Sequence, residues 1–159
     1  MEINLVYVIV KLLHDIATAI WIGGLFAMGF VILPSTREVL PKGQETKQFM
    51  KTVQHRLSIL VYISIVILFL TGLLLARQSE LYLGLISLGN EYSTLTTIKH
   101  VLYASMFIVT LTRSQLLKKL NLNPKKQEKL SVMLLFLNIL LGILVLFLSA
   151  TLAGITVSL

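Results

Sequence analysis

Apolar residues run through this chain in four long blocks, roughly 5–33, 57–76, 95–112 and 130–159, separated by polar or mixed connections. Each block is near or above the ~20 residues that carry a helix across a hydrocarbon core about 30 Å thick. A backbone in lipid has no water to bond to, so each block is expected to satisfy its own N–H and C=O groups as an α-helix. The pattern predicts an all-α, integral membrane four-helix bundle, up-down-up-down, with helices at about 5–33, 52–77, 94–118 and 129–157 in a single domain, 1–159. The first block is too long for a signal peptide and has no basic residue ahead of it, so it is expected to be retained.

The connections carry their own signals. Pro34 and Pro41 are expected to close the first helix, and Gly43-Gln44-Glu45-Thr46 to lead into the second. Asn123-Pro124 reads as a cap and first turn ahead of the fourth helix. In RQSELYLGLISLGNEYST, between helices 2 and 3, the centre from Leu81 to Leu88 is apolar but too short to span; it is expected to lie in the interface as a lid over the outer end of the bundle. On the fourth helix Ser131, Asn138, Gly142, Ser149 and Thr156 fall within about 20° of one line at 100° per residue. Such a small and polar stripe suits packing against neighbouring helices, with a pore or ligand wall as the other use.

Composition strengthens the membrane reading. With 56% hydrophobic and 13% charged residues, the chain lacks the polar side chains to cover a soluble domain. The net charge of +7 does not point to nucleic acid, because of where it lies. Eleven of the 14 basic residues sit in two connections, Arg37 to Arg56 and Arg113 to Lys129, leaving Lys11, Arg77 and Lys99 toward the opposite side. The positive-inside bias then places both basic connections in the cytoplasm and both termini outside, in the cell (inner) membrane. Anionic lipid head groups are sufficient partners for the basic clusters. There is no cysteine, which excludes disulfides and thiolate ligands.

Three histidines carry the candidate chemistry: His14 on helix 1, His55 opening helix 2 and His100 on helix 3. In the expected topology His14 and His100 both lie toward the outside, on helices that are diagonal partners. A diagonal pair of imidazoles is what a b-type haem requires, one nitrogen binding iron from each face of the macrocycle. The same pair suits copper. Ala17, Thr18, Trp21, Leu25 and Met28 continue the His14 face, and Gly23-Gly24 leave room for a bulky group or a close helix. Tyr103, Ala104 and Phe107 continue from His100. These stripes are equally ordinary membrane-helix packing. Asp15 and Lys99 each adjoin a histidine and could pair across the bundle, orienting an imidazole or a haem propionate; Lys11, at i−4, is the alternative partner for Asp15. The two histidines come to one level only if Arg113 faces inward or snorkels, which is therefore expected. His55, beside Arg56, is expected to meet water or head groups; a second site with Met28 stays open.

The run HDIATAIWIGG with its VILP exit resembles the first helix of the copper-resistance protein D (CopD) family. HRLSILVYISIVILFLTGLLLA and the lysine within TTIKHVLYASMFIVTLTR are similar to its second and third. The spacing His14, Trp21, Gly24-Leu25-Phe26, with Lys99, also resembles HemJ, the four-helix membrane protoporphyrinogen oxidase. The resemblance covers about residues 10–117 and implies roles for His14, Trp21, Gly24, Gly72 and Lys99. It implies copper uptake on the one side and haem-b chemistry on the other. At Met28-Gly29-Phe30 the chain departs from HemJ, which has an arginine there.

Ligand supply separates these functions. A copper path needs a ladder of methionine and histidine steps, yet His14 to Met28 spans about 21 Å of helix axis, and Met106 is rotated about 120° from His100. Haem needs only two axial ligands. The expectation is a membrane cytochrome holding haem b between His14 and His100, with Asp15, Trp21, Gly24 and Lys99 around it, passing electrons between a quinone or redox protein and an outer acceptor. Copper transport through the same histidines and a non-redox accessory subunit, including one in a homo-oligomer, are the competing readings. A membrane oxidoreductase fits the first of these; no hydrolytic or transferase constellation is visible.

Overall fold

The computed structural model describes residues 4–120 and 123–157. All regular structure among them is helical: α1 (Leu5–Phe26), a π-helical turn (Ala27–Ile32), α2 (Leu33–Val39), α3 (Gln44–Arg77), α4 (Glu91–Leu111), a second π-helical turn (Thr112–Leu116), α5 (Leu117–Lys119) and α6 (Pro124–Val157). Joined across the π-helical turns, these give four helices long and apolar enough to cross a membrane: Leu5–Val39, Gln44–Arg77, Glu91–Leu116 and Pro124–Ile155. The chain divides into two compact units, Met1–Thr71 and Gly72–Leu159.

In the first unit, Asn4 caps α1 by accepting the Tyr7 N–H at 3.2 Å. The buried face of α1 carries Ala17, Trp21 and Leu25, continued by Met28, at the three- and four-residue spacing of one helix stripe. Val61, Ser64, Ile65, Leu68 and Thr71 form the matching buried stripe of α3. His14 meets Thr71, and Gly24 lies opposite Leu57, so within this unit the two helices run in opposite directions.

Pro34 does not close the first helix, contrary to the sequence expectation. The helix runs on to Val39, and only at Leu40 does the backbone become extended, ahead of Pro41. The π-helical turn explains how the proline is tolerated. A proline has no N–H and its ring clashes with the carbonyl four residues back. Here the preceding turn is wider, with the Leu33 N–H bonding the Met28 carbonyl five residues back. The polar lead-in to helix 2 is also part of the helix, since α3 starts at Gln44 and not near residue 52.

The second unit is organised by α4 and α6. The buried positions of α6 are Leu135, Asn138, Ile139, Gly142, Val145 and Leu152, a seam recurring every three or four residues. Part of the small and polar stripe lies in this seam. Asn138 donates to Thr110 Oγ1 at 2.8 Å, and Ser131 Oγ accepts from Arg113 Nε at 3.4 Å. Ser149 is half-buried, its hydroxyl donating to the Val145 carbonyl; the Thr156 side chain lies outside the described residues. Arg113 is half-buried and turned to α6, the inward orientation expected for it. Asn123 and Pro124 open α6 as expected, the asparagine side chain accepting the Lys125 N–H at 3.2 Å.

Candidate functional site

His14 is half-buried on the inner side of α1. Its Nδ1 lies 2.9 Å from Thr71 Oγ1. The direction of that bond follows from the hydroxyl's single proton. Thr71 Oγ1 lies 2.6 Å from the Ile67 carbonyl, which can only accept, so the threonine proton is committed there. Nδ1 of His14 must therefore be the donor, and in the neutral ring the lone pair sits on Nε2. Thr18 Oγ1 donates to the His14 carbonyl at 2.8 Å, holding the backbone of the same turn.

His100, in the second unit, is half-buried on α4. Its Nδ1 lies 3.3 Å from the backbone carbonyl of Leu85. A carbonyl has no proton to give, so this ring also donates from Nδ1 and carries its lone pair on Nε2. Both histidines thus have the same tautomer, each set by an oxygen outside its own helix turn. A ligating imidazole is held in this way, with the non-ligating N–H fixed on a neighbouring oxygen so that the other nitrogen presents to the metal.

The other residues singled out in the sequence fall differently. Trp21 is 1% exposed, two turns along the His14 face. Gly24 is half-buried, and a Cβ there would meet only Leu57 Cδ2 at 3.9 Å; at Gly23 it would meet nothing within 4 Å. Neither glycine is demanded by a close helix within the first unit. Of the two partners considered for Asp15, the structure shows Lys11: its Nζ contacts the carboxylate at 2.7 Å on an exposed face. Lys99 is half-buried on α4 beside His100. His55 is exposed among Lys51, Thr52 and Arg56, whereas Met28 is 2% exposed.

Two anchoring groups escaped the sequence reading. Thr71 is a lone hydroxyl in the run LFLTGLLL, and a polar side chain so deep in an apolar helix is a usable signal for a partner on a neighbour. Leu85 acts through its backbone carbonyl, which no side-chain pattern can announce. Among the described residues no group of three or more His, Cys, Asp or Glu gathers in a way that could hold a metal ion. No protein-family model, curated protein or solved structure matches the chain.

Proposed function

We propose that this protein is a b-type cytochrome-like membrane electron carrier in which His14 and His100 would hold haem. The observation that carries this reading is the shared state of the two imidazoles: each gives its Nδ1–H to a fixed oxygen, which in the neutral ring makes Nε2 the basic nitrogen. When bound, haem supplies one-electron redox chemistry at its iron. The chain's own part is positional. Thr71 fixes the plane of the His14 ring, the Leu85 carbonyl fixes that of His100, and Trp21 with the uncrowded Gly24 lines the His14 side. Asp15 is engaged by Lys11 on an exposed face of α1.

The same reading takes the four apolar helices as an up-down-up-down bundle in the cell membrane, with both termini outside and the basic connections in the cytoplasm. Electrons would pass between a quinone or redox protein and an acceptor at the outer face. Two imidazoles on a cysteine-free chain give copper too few ligands for a retained site, which places copper uptake second.

An absorption spectrum of detergent-purified protein tests the proposal. The expected result is a sharp Soret band that is lost in His14→Ala and in His100→Ala. A colourless protein that binds copper stoichiometrically selects copper handling. A protein that takes up neither overturns both and leaves an accessory subunit.

A further inference from the structure

The connection between α3 and α4 is not a free loop. It hangs from side chains on the first three turns of α4. Ser93 Oγ accepts the Leu83 N–H at 3.0 Å and donates to the Leu81 carbonyl at 3.0 Å, an acceptor that Asn90 Nδ2 shares at 2.8 Å. One turn on, Thr97 Oγ1 accepts the Ser87 N–H at 3.0 Å. His100 holds the Leu85 carbonyl. Gly84 turns the strap with φ +148°, a conformation that side chains rarely adopt. The strap thus follows α4 for seven residues, about 10 Å of helix axis.

Its outward face is apolar. Leu83 is 58% exposed, Leu85 50%, Ile86 86% and Leu88 74%. Between Glu80 and Glu91 there is no charged residue. Irregular backbone is normally kept out of the hydrocarbon by its unpaired N–H and C=O groups, each costing several kcal/mol there. In this strap the Leu81 and Leu85 carbonyls and the Leu83 and Ser87 N–H groups are already bonded to α4 side chains. Each such bond lowers the cost of burying the strap in lipid, where the apolar side chains point outward. Depth agrees. The span Glu91–Leu116 has 26 residues, about 39 Å, which exceeds a hydrocarbon core of about 30 Å by only ~5 Å at each end. The groups that hold the strap, Ser93 to His100, begin near that boundary and run inward.

We infer that the strap 81–88 is a lipid-inserted wedge, with Ile86 and Leu88 seated among the acyl chains of the leaflet at the α4 N-terminus. The partner is the bilayer itself, and the inference needs only that the α4 span crosses it, not that haem is bound. The insertion gives the His100 ring a lipid-supported anchor, since Leu85 lies next to Ile86 at the tip.

The absence of cysteine makes the test direct. Single variants Ile86→Cys and Leu88→Cys carry a nitroxide in the full chain, reconstituted in phosphatidylcholine–phosphatidylglycerol vesicles. Val101→Cys on the exposed side of α4 supplies the lipid reference and Gln78→Cys the water reference. Power saturation is read against oxygen and a water-soluble nickel chelate. The expected oxygen-to-nickel accessibility ratio at 86 and 88 is several-fold above that at 78 and close to that at 101. Nickel accessibility equal to that at 78 places the strap in water and overturns the inference. Protection from both reagents, or dipolar broadening between labels, assigns the face to protein, including a second copy, and overturns it as well. Haem content of the labelled proteins reports on the cofactor reading separately.

Discussion

At the scale of single residues, the proton of Thr71 decides what His14 can do. The hydroxyl spends its proton on the Ile67 carbonyl and so takes one from His14 Nδ1. On the proposed reading, Thr71→Val removes the acceptor and weakens haem binding by about 10–100-fold, the usual cost of losing the group behind a ligating histidine. Thr71→Ser keeps the oxygen and restores binding; titration of the apoprotein followed at the Soret band reads both. Asn138 is a contrasting polar residue. It is 2% exposed, its Nδ2 bonded to Thr110 while its Oδ1 has no hydrogen-bond partner among the described residues. One hydrogen bond within a membrane helix pair averages about 0.6 kcal/mol. Replacing the whole amide by an apolar group of similar size also removes the orphaned oxygen. Asn138→Leu is therefore expected to unfold in detergent within about 1 kcal/mol of the parent, as measured by equilibrium denaturation.

At the scale of elements, helix length and loop pairing carry the consequences. Pro34 reads as a stop, yet a wider π-helical turn absorbs it and α1 continues through α2 as one rod to Val39. Such a turn is invisible in the apolar pattern because it adds a residue without changing composition. The strap shows the same limit in a loop: Leu81 to Leu88 is legible as apolar, but its hold on α4 comes from Ser93 and Thr97, which look like ordinary helix-start residues. Thr97→Val deletes the acceptor for the Ser87 N–H. At about 1 kcal/mol for one bond, peptides covering 81–90 should exchange amide hydrogens roughly 5-fold faster, with the rest of α4 unchanged. The seam on α6 was partly readable, since small and polar residues on a charge-free helix need a neighbour, and Asn138 and Ser131 find it in Thr110 and Arg113.

At the scale of the whole molecule, the charge distribution predicts an orientation. Eleven basic residues on two connections predict that Lys42 and Lys126 face the cytoplasm while Ser79 faces outward. In intact cells a membrane-impermeant maleimide is expected to label Ser79→Cys and to spare Lys42→Cys and Lys126→Cys, which react only after the membrane is opened. Labelling of Lys42→Cys from outside would reverse the topology and, on the proposed reading, the side on which electrons would be delivered.

The sequence by itself determined that the chain is four membrane-length helices, because burying apolar side chains and satisfying the backbone in lipid leave no other solution for such blocks. It also singled out His14 and His100, since ionisable groups are expensive in apolar segments and few are present. Only the tertiary structure decided which proton each histidine carries, that Asp15 pairs with Lys11, and that the connection between α3 and α4 is tied along α4. Those outcomes turn on where individual oxygens lie, and hydrogen bonds of about 3 Å depend on the meeting of residues as distant in sequence as 14 and 71, a proximity no local pattern encodes.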